Sequence, residues 1–233
     1  MSTSDNPERY HRILDAAAEL FVHYGYDKTT VSDIAREAGI SKGAIYLHFD
    51  SKDALLEGLI VREMEKFGER WYQLVQDDPD GGRIGNMYKN MLYALNSSAF
   101  MTAMFTQDGR VLGNYLRKPD NFFRRMRAQQ TTSNRYEFIK LMQEAGAVRQ
   151  DIDPKVIAYL MEMIAYSLVG MDDILPEEDI PPIEAVIEGI ATFMDRALTP
   201  DTGVDSEVGK TIIRQLMEVA RPQFDATQET LQE

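Results

Sequence analysis

Apolar residues recur at steps of three and four along almost the whole chain, and nowhere do they alternate. That period belongs to the 3.6-residue turn of a helix and not to the two-residue repeat of a strand, so the chain is restricted to an all-α fold. From Glu8 to Tyr24, the residues Ile13, Leu14, Ala17, Leu20, Phe21 and Tyr24 share one side, and Gly25 stops the helix. Thr30 caps a second, short helix carrying Val31, Ile34, Ala35 and Ala38. It ends at Gly39, and Ser41 caps a third that runs to about Phe49. Ser51 opens a fourth, continuing to about Gln76 until "DDPDGG" breaks it. Further helices are predicted over 83–97, 99–107, 109–118 and 120–146, the third of them stopped by Pro119. Asp153 and Pro154 start one that reaches about Leu175. Residues 182–198 and 206–220 complete the series, and 221–233 reads as a frayed tail.

Composition narrows the function. The chain has 233 residues and no cysteine, so thiol catalysis, disulfides and cysteine-based zinc sites are excluded. No apolar run approaches the length of roughly 18 residues that a membrane span needs, and the first residues show no secretory pattern. A soluble, cytoplasmic protein is expected, with no membrane partner. The three histidines, His11, His23 and His48, all lie near the N-terminus. No nucleophile–base–orienter set can be assembled from this inventory, which argues against an enzyme. No residue pattern asks for a cofactor or a metal; the acidic "DDILPEED" lacks calcium-loop spacing and reads as a solvated loop.

Net charge is −13 but uneven. Residues 110–140 carry eight basic and two acidic side chains, whereas 141–233 carry six basic and nineteen acidic. The acidic C-terminal third should stay away from a polyanion. The basic run "RKPDNFFRRMR" reads first as a solvated helix face paired with that acidic third, and only second as a nucleic-acid patch.

Two short helices joined at "AGIS", with a longer one in front, have the size and turn chemistry of a helix-turn-helix. The second helix of that motif enters the DNA major groove, so its outward residues must be small or hydrogen-bonding. Ala38, Ile40, Ile45 and Phe49 form an inward stripe in 38–49, which leaves Lys42, Gly43, Ala44, Tyr46, Leu47 and His48 pointing elsewhere. Gly43 and Ala44 let the backbone approach the groove floor, and Lys42 reaches a guanine edge or a phosphate. Tyr46, His48 and Lys52 carry donors suited to phosphate oxygens. Taken alone, a His–aromatic pair on a short helix is surface decoration or packing; the surrounding pattern turns the reading toward DNA.

Over about residues 9–56, "ILDAAAELFVHYGYDKTTVSDIAREAGISKGAIYLHFDSKDALL" closely resembles the TetR family of bacterial transcription regulators. The resemblance rests on the aromatic-Gly-aromatic exit from the first helix, the Thr-Thr entry to the second, "IAREAG", and "SKGAIYLHF" followed by "SK" and "ALL". It implies an N-terminal three-helix DNA-binding domain over 1–52 and a larger helical effector-binding and dimerisation domain over 53–220. It places DNA contacts on Thr30, Ser41, Lys42, Gly43, Ala44, Tyr46, Leu47, His48 and Lys52. Leu47 departs from the usual aromatic or polar residue there and offers only apolar contact, as to a thymine methyl. The implied partners are double-stranded operator DNA, a small-molecule effector and a second copy of the chain.

The segment "VIAYLMEMIAYSLVGM" holds one charge, Glu162, and so has no polar face to give to water. Single-chain core packing would satisfy it. So would a dimeric four-helix interface, which the family resemblance favours, built from Ile157, Leu160, Ile164 and Leu168 with Ile183, Val186, Ile187, Ile190, Phe193 and Met194 of the next helix. Met87, Met91, Phe105, Tyr115, Met142, Tyr159, Glu162, Met163 and Tyr166 are the candidate lining of a mainly apolar effector pocket, with core filling as the plain alternative. Glu162 tilts the expected effector toward a neutral or cationic lipophile. The reading is a ligand-released repressor; the rivals are a helical adaptor that has lost DNA binding and a helical enzyme.

Overall fold

The computed structural model describes residues 7–129, 132–170 and 176–232, and no strand occurs among them. The helices are α1 (Pro7–Tyr24), α2 (Val31–Glu37), α3 (Lys42–Ile45), α4 (Lys52–Asp77), α5 (Ile84–Asn96), α6 (Ala99–Thr106) and α7 (Gly109–Leu112). After a 3₁₀ turn at Gly113–Arg117 come α8 (Phe122–Gln129), α9 (Asn134–Glu144), α10 (Pro154–Gly170), α11 (Ile183–Leu198) and α12 (Ser206–Gln232). No described helix is long and apolar enough to cross a membrane.

Four elements differ from the sequence expectation. The span 120–146 is two helices, because Ser133 starts afresh as the N-cap of α9, its hydroxyl accepting from the Tyr136 N–H. The span 109–118 leaves the α-helix at Gly113, where φ is +51°, and the Asp27 carboxylate accepts the Asn114 N–H from across the unit. Residues 46–48 close as a turn and not as helix; the His48 and Phe49 N–H groups both reach the Ile45 carbonyl, which folds Phe49 into the core. Finally, α12 continues through Pro222 to Gln232, past the end expected at 220. Good helix formers such as Gln223, Ala226 and Gln228 favour this continuation. The expected end of α10 near Leu175 and the residues Met171, Asp172 and Asp173 lie outside the described residues.

Two compact units form. The first joins Met1–Lys66 with Ser98–Gln129 and Arg221–Glu233; the second joins Phe67–Ser97 with Gln130–Ala220. In the first, Ile13, Leu14 and Phe21 of α1, Ile34 of α2, Ile45 of α3 and the α4 residues Leu55, Leu56 and Leu59 are almost wholly inaccessible. Helices α6 and α7 also pack on α1. At the contact of α1 with α4 lies a buried charge network. Arg62 and Glu63, whose side chains are 3% and 8% exposed, pair at 2.9 Å. Arg62 also donates to Asp15 at 2.7 Å and to the His11 carbonyl at 3.2 Å, while the Ser98 hydroxyl donates to Glu63 at 3.0 Å. One network thus holds α1, α4 and the cap of α6.

In the second unit α5 packs on α11 and α9 on α10. Met87, Tyr88, Leu92, Ile139, Met142, Ile157, Met161 and Ile187 make its core. Tyr88 donates to the Met161 carbonyl at 2.5 Å, and burial pushes its phenol up to about 12. Arg83, at the start of α5, grips Asp195 of α11 at 2.5 Å.

Candidate nucleic-acid interface

The α2–α3 pair is built by local signals. Thr30 and Asp33 form a reciprocal capping box: the Thr30 hydroxyl accepts from the Asp33 N–H at 3.2 Å, and the Asp33 carboxylate accepts from the Thr30 N–H at 3.1 Å. These Thr30 bonds, with Arg36 alongside, hold the Asp33 carboxyl below its ordinary range. The helix closes through Gly39, whose φ of +67° suits glycine; its N–H reaches the Arg36 carbonyl, and the Ile40 N–H reaches Ala35. This double bond pattern turns the chain directly into Ser41, whose hydroxyl accepts from the Ala44 N–H at 3.2 Å to start α3.

Burial then sorts the residues as the periodicity required. Ala38, Ile45 and Phe49 face the core, and Ile40 is half-buried. Ser41, Lys42, Gly43, Tyr46 and Leu47 are exposed, and Ala44 is half-buried. Tyr46 and Leu47 are large residues exposed at 46% and 67%, and the Lys42 ammonium lies 5.9 Å from the Tyr46 ring. These six residues fall within positions 41–47, and five of them are exposed.

Three other predicted contacts are occupied within the chain. Thr30 directs both of its donors, hydroxyl and backbone N–H, to Asp33. His48 is half-buried, with its ring edge-on to Tyr10 at 6.2 Å. The Lys52 ammonium donates to the Tyr26 carbonyl at 2.8 Å and the Thr29 carbonyl at 3.0 Å, and sits 3.9 Å above the Tyr26 ring. Burial lowers its pKa, against the opposing pull of Asp27 and Asp53. Lys52 therefore pins the 26–29 loop to the start of α4. Asp53 completes the corner, accepting from the Tyr26 hydroxyl and from Lys118. Sequence reading missed Tyr26, Asp53 and Lys118, since their meeting is a product of tertiary packing.

The nine candidate effector residues are divided between the two units. Phe105 and Tyr115 belong to the first unit, where Tyr115 donates to Glu57 at 2.7 Å and accepts from the Phe122 N–H at 2.8 Å. Met87, Met91 and Met142 are buried core of the second unit. Tyr159, Met163 and Tyr166 lie on the surface at 69%, 49% and 60% exposure, because the core side of α10 runs through Ile157, Met161 and Ala165. Glu162 pairs with Arg135 of α9 at 2.7 Å, so its carboxylate is already neutralised. The ten candidate dimer residues also divide. Ile157, Ile187 and Met194 are buried, while Ile183 and Phe193 are exposed. Leu160, Ile164, Leu168, Val186 and Ile190 line an open groove of about 310 Å³ together with Met163 and Ser167. No group of side chains among the described residues is arranged to hold a metal ion.

Comparison with known proteins agrees with the helix-turn-helix. Residues 13–59 match the model for bacterial regulatory proteins of the tetR family. The chain is 31% identical over 171 residues to the A-factor receptor protein of Streptomyces griseus, which covers 70% of this chain and 54% of that protein. It thus spans about half the length of that relative. An HTH-type transcriptional repressor of Mycobacterium tuberculosis is 26% identical over 81% of this chain and 94% of its own. The solved structure of the transcriptional regulator FadR of Bacillus subtilis, in complex with stearoyl-CoA, shares the fold. Its TM-score is 0.56 at 18% identity, covering 79% of this chain and 97% of that one. The capped α2, the glycine turn and α3 all lie inside residues 13–59, so the chain carries the N-terminal domain of the tetR family of bacterial regulatory proteins.

Proposed function

We propose that the chain is a ligand-responsive transcriptional repressor that binds palindromic operator DNA as a homodimer. The observation that carries this reading is the exposure of Ser41, Lys42, Gly43, Tyr46 and Leu47, with Ala44 half-buried among them, next to a buried Ala38–Ile45–Phe49 stripe. Small residues admit the backbone to the major groove, Lys42 and Tyr46 donate to bases or phosphates, and Leu47 contacts a thymine methyl. Thr30, His48 and Lys52 act behind this surface as positioning residues. The groove at Leu160, Ile164, Leu168, Val186 and Ile190 supports dimerisation through α10 and α11, since an apolar surface of this kind asks to be covered.

The effector is a mainly apolar small molecule taken up by the second unit, whose Met87, Met91 and Met142 give an adaptable interior. The stearoyl-CoA held by the FadR relative of the same fold makes long-chain acyl compounds the first class to try. The Glu162–Arg135 pair removes the reason for preferring a cation. Selection of bound duplexes from a random pool, repeated with acyl compounds and with lipophilic cations, tests the whole reading. A palindromic consensus whose binding an acyl compound weakens is expected; no enriched sequence would overturn it.

A further inference from the structure

The first unit contains more than the helix-turn-helix. Residues 111–129 pack against the corner that carries Thr30 and Lys52. The Tyr26 N–H donates to the Val111 carbonyl at 2.8 Å, and the Asn114 N–H donates to Asp27 at 3.1 Å. Gly25, with φ of +81°, allows the approach, since a Cβ there would stand 2.4 Å from the Arg110 carbonyl oxygen. Lys118 pairs with Asp53 on the first turn of α4, and Arg125 pairs with Glu57 at 2.5 Å. Glu57 lies four residues beyond Asp53, about 6 Å along the helix. The 3₁₀ turn and α8 are thus moored within the first two turns of α4.

Charge accounting decides what this segment offers. Asp53 and Glu57 are answered by Lys118 and Arg125, and Asp27 accepts a backbone N–H. Asp120 is the one acidic residue between 110 and 129. Arg117, Arg124 and Arg127 are exposed and make no ion pair among the described residues. At the same corner Lys52, one of the motif's cations, is spent on two carbonyls. In a chain of net charge −13, three exposed arginines in the unit that carries the DNA-reading helices, on a segment tied to the 26–27 loop and the start of α4, have a polyanion as their natural complement.

We infer that Arg117, Arg124 and Arg127 form an auxiliary DNA-backbone contact, holding phosphates beyond those engaged by α3. The inference rests on the proposed operator binding and adds affinity without sequence information. The test is the salt dependence of binding to an operator duplex selected by the protein itself. The variant Arg117→Gln/Arg124→Gln/Arg127→Gln is compared with wild type and with a control of equal charge loss in the second unit, Lys140→Gln/Lys155→Gln/Arg214→Gln. Each lost phosphate contact should lower the slope of log K against log salt by about 0.9, so the arginine variant loses up to ~2.7. Between 50 and 200 mM salt its affinity then falls about 40-fold less than that of wild type. Base preference should stay unchanged, the control should keep the wild-type slope, and ethylation interference should map fewer phosphates for the arginine variant. Equal slopes for wild type and arginine variant would overturn the auxiliary contact while leaving operator binding intact. A wild type that selects no duplex would bring down the operator reading and this one together.

Discussion

The buried Arg62–Glu63 pair offers the sharpest test of how the first unit is held together. Replacing Glu63 by Gln keeps its shape and its acceptor for Ser98 but leaves the Arg62 guanidinium, 3% exposed, without its buried counter-charge. Breaking a buried pair from one side costs about 3–5 kcal/mol in general. Here Arg62 keeps Asp15 at 2.7 Å and the His11 carbonyl, although Asp15 is 60% exposed and its charge is screened. The expected cost is therefore about 2–3 kcal/mol, below that general range. Arg62→Met strands Glu63 instead, with the exposed Lys66 at 3.5 Å as its remaining cation and the Ser98 hydroxyl as its neutral donor, and should cost a similar amount. The double variant carries no buried charge and should lose only about 1 kcal/mol, giving a coupling of about 3–5 kcal/mol. Hydrogen exchange resolved to α1 and α4 is the suitable assay, because the only tryptophan, Trp71, belongs to the second unit. Each single variant should exchange on the order of 30- to 150-fold faster there. Additive single costs, or a Glu63→Gln loss under about 1 kcal/mol, would refute the network as a structural brace.

Other outcomes follow from the same geometry. Tyr46→Ala and Lys42→Ala should each weaken operator binding by about 1–3 kcal/mol without loss of helicity; a folded double variant of wild-type affinity would refute the α3 assignment. Leu168→Glu or Ile190→Glu places an unpaired charge in the α10–α11 groove and should yield monomers in sedimentation, with operator affinity collapsing as half-sites about 34–36 Å apart lose their tether. A wild type that sediments as a monomer at micromolar concentration would contradict this. Asp33 has a folded pKa below its unfolded value, held there by Thr30, so its stabilisation is full above about pH 4 and drains as pH falls through the lower folded value. Exchange at α2 amides should therefore rise on acidification below that point, and Asp33→Asn should flatten the step.

The parts of the fold that were legible in sequence are those set by neighbours in the chain. Thr30 with Asp33, Ser41 with Ala44 and Gly39 after Ala38 act across three residues or fewer, and each boundary of α2 and the start of α3 falls where these signals put it. The parts that were not legible depend on partners far along the chain. The basic run "RKPDNFFRRMR" was expected to be a solvated helix face paired with the acidic C-terminal third. Lys118 and Arg125 of that run instead meet Asp53 and Glu57, and it is Arg135, farther along, that meets Glu162 of the acidic third. The 3₁₀ turn at 113–117 is likewise tied by Asp27, about ninety residues away and invisible to any local rule. Lys52 shows the same limit at the candidate site: its motif position was readable, but its occupation by the Tyr26 and Thr29 carbonyls was not.

Helix α10 shows why the dimer and pocket residues were sorted imperfectly. When every face is apolar, periodicity cannot say which face the chain itself covers. The structure answers with Ile157, Met161 and Ala165, one stripe at four-residue spacing, packed inward at 2%, 2% and 0% exposure. Val156, Tyr159, Leu160, Met163 and Tyr166 are left outside. Three of these, Tyr159, Met163 and Tyr166, had been assigned to the pocket because aromatic and thioether side chains suit a lipophilic ligand. The same chemistry suits an interface, where aromatic residues and methionine are enriched. A helix whose outer face is this apolar beside a groove of the same character would be an aggregation liability if it stayed bare in water. Covering it with the same face of a second copy buries both at once, and a two-fold axis makes the patch its own complement. Tyr159→Glu, outside the groove yet on this face, should therefore weaken the dimer as Leu168→Glu does while leaving the Ile157–Met161–Ala165 core intact. A Tyr159→Glu variant that stays fully dimeric would confine the interface to the groove.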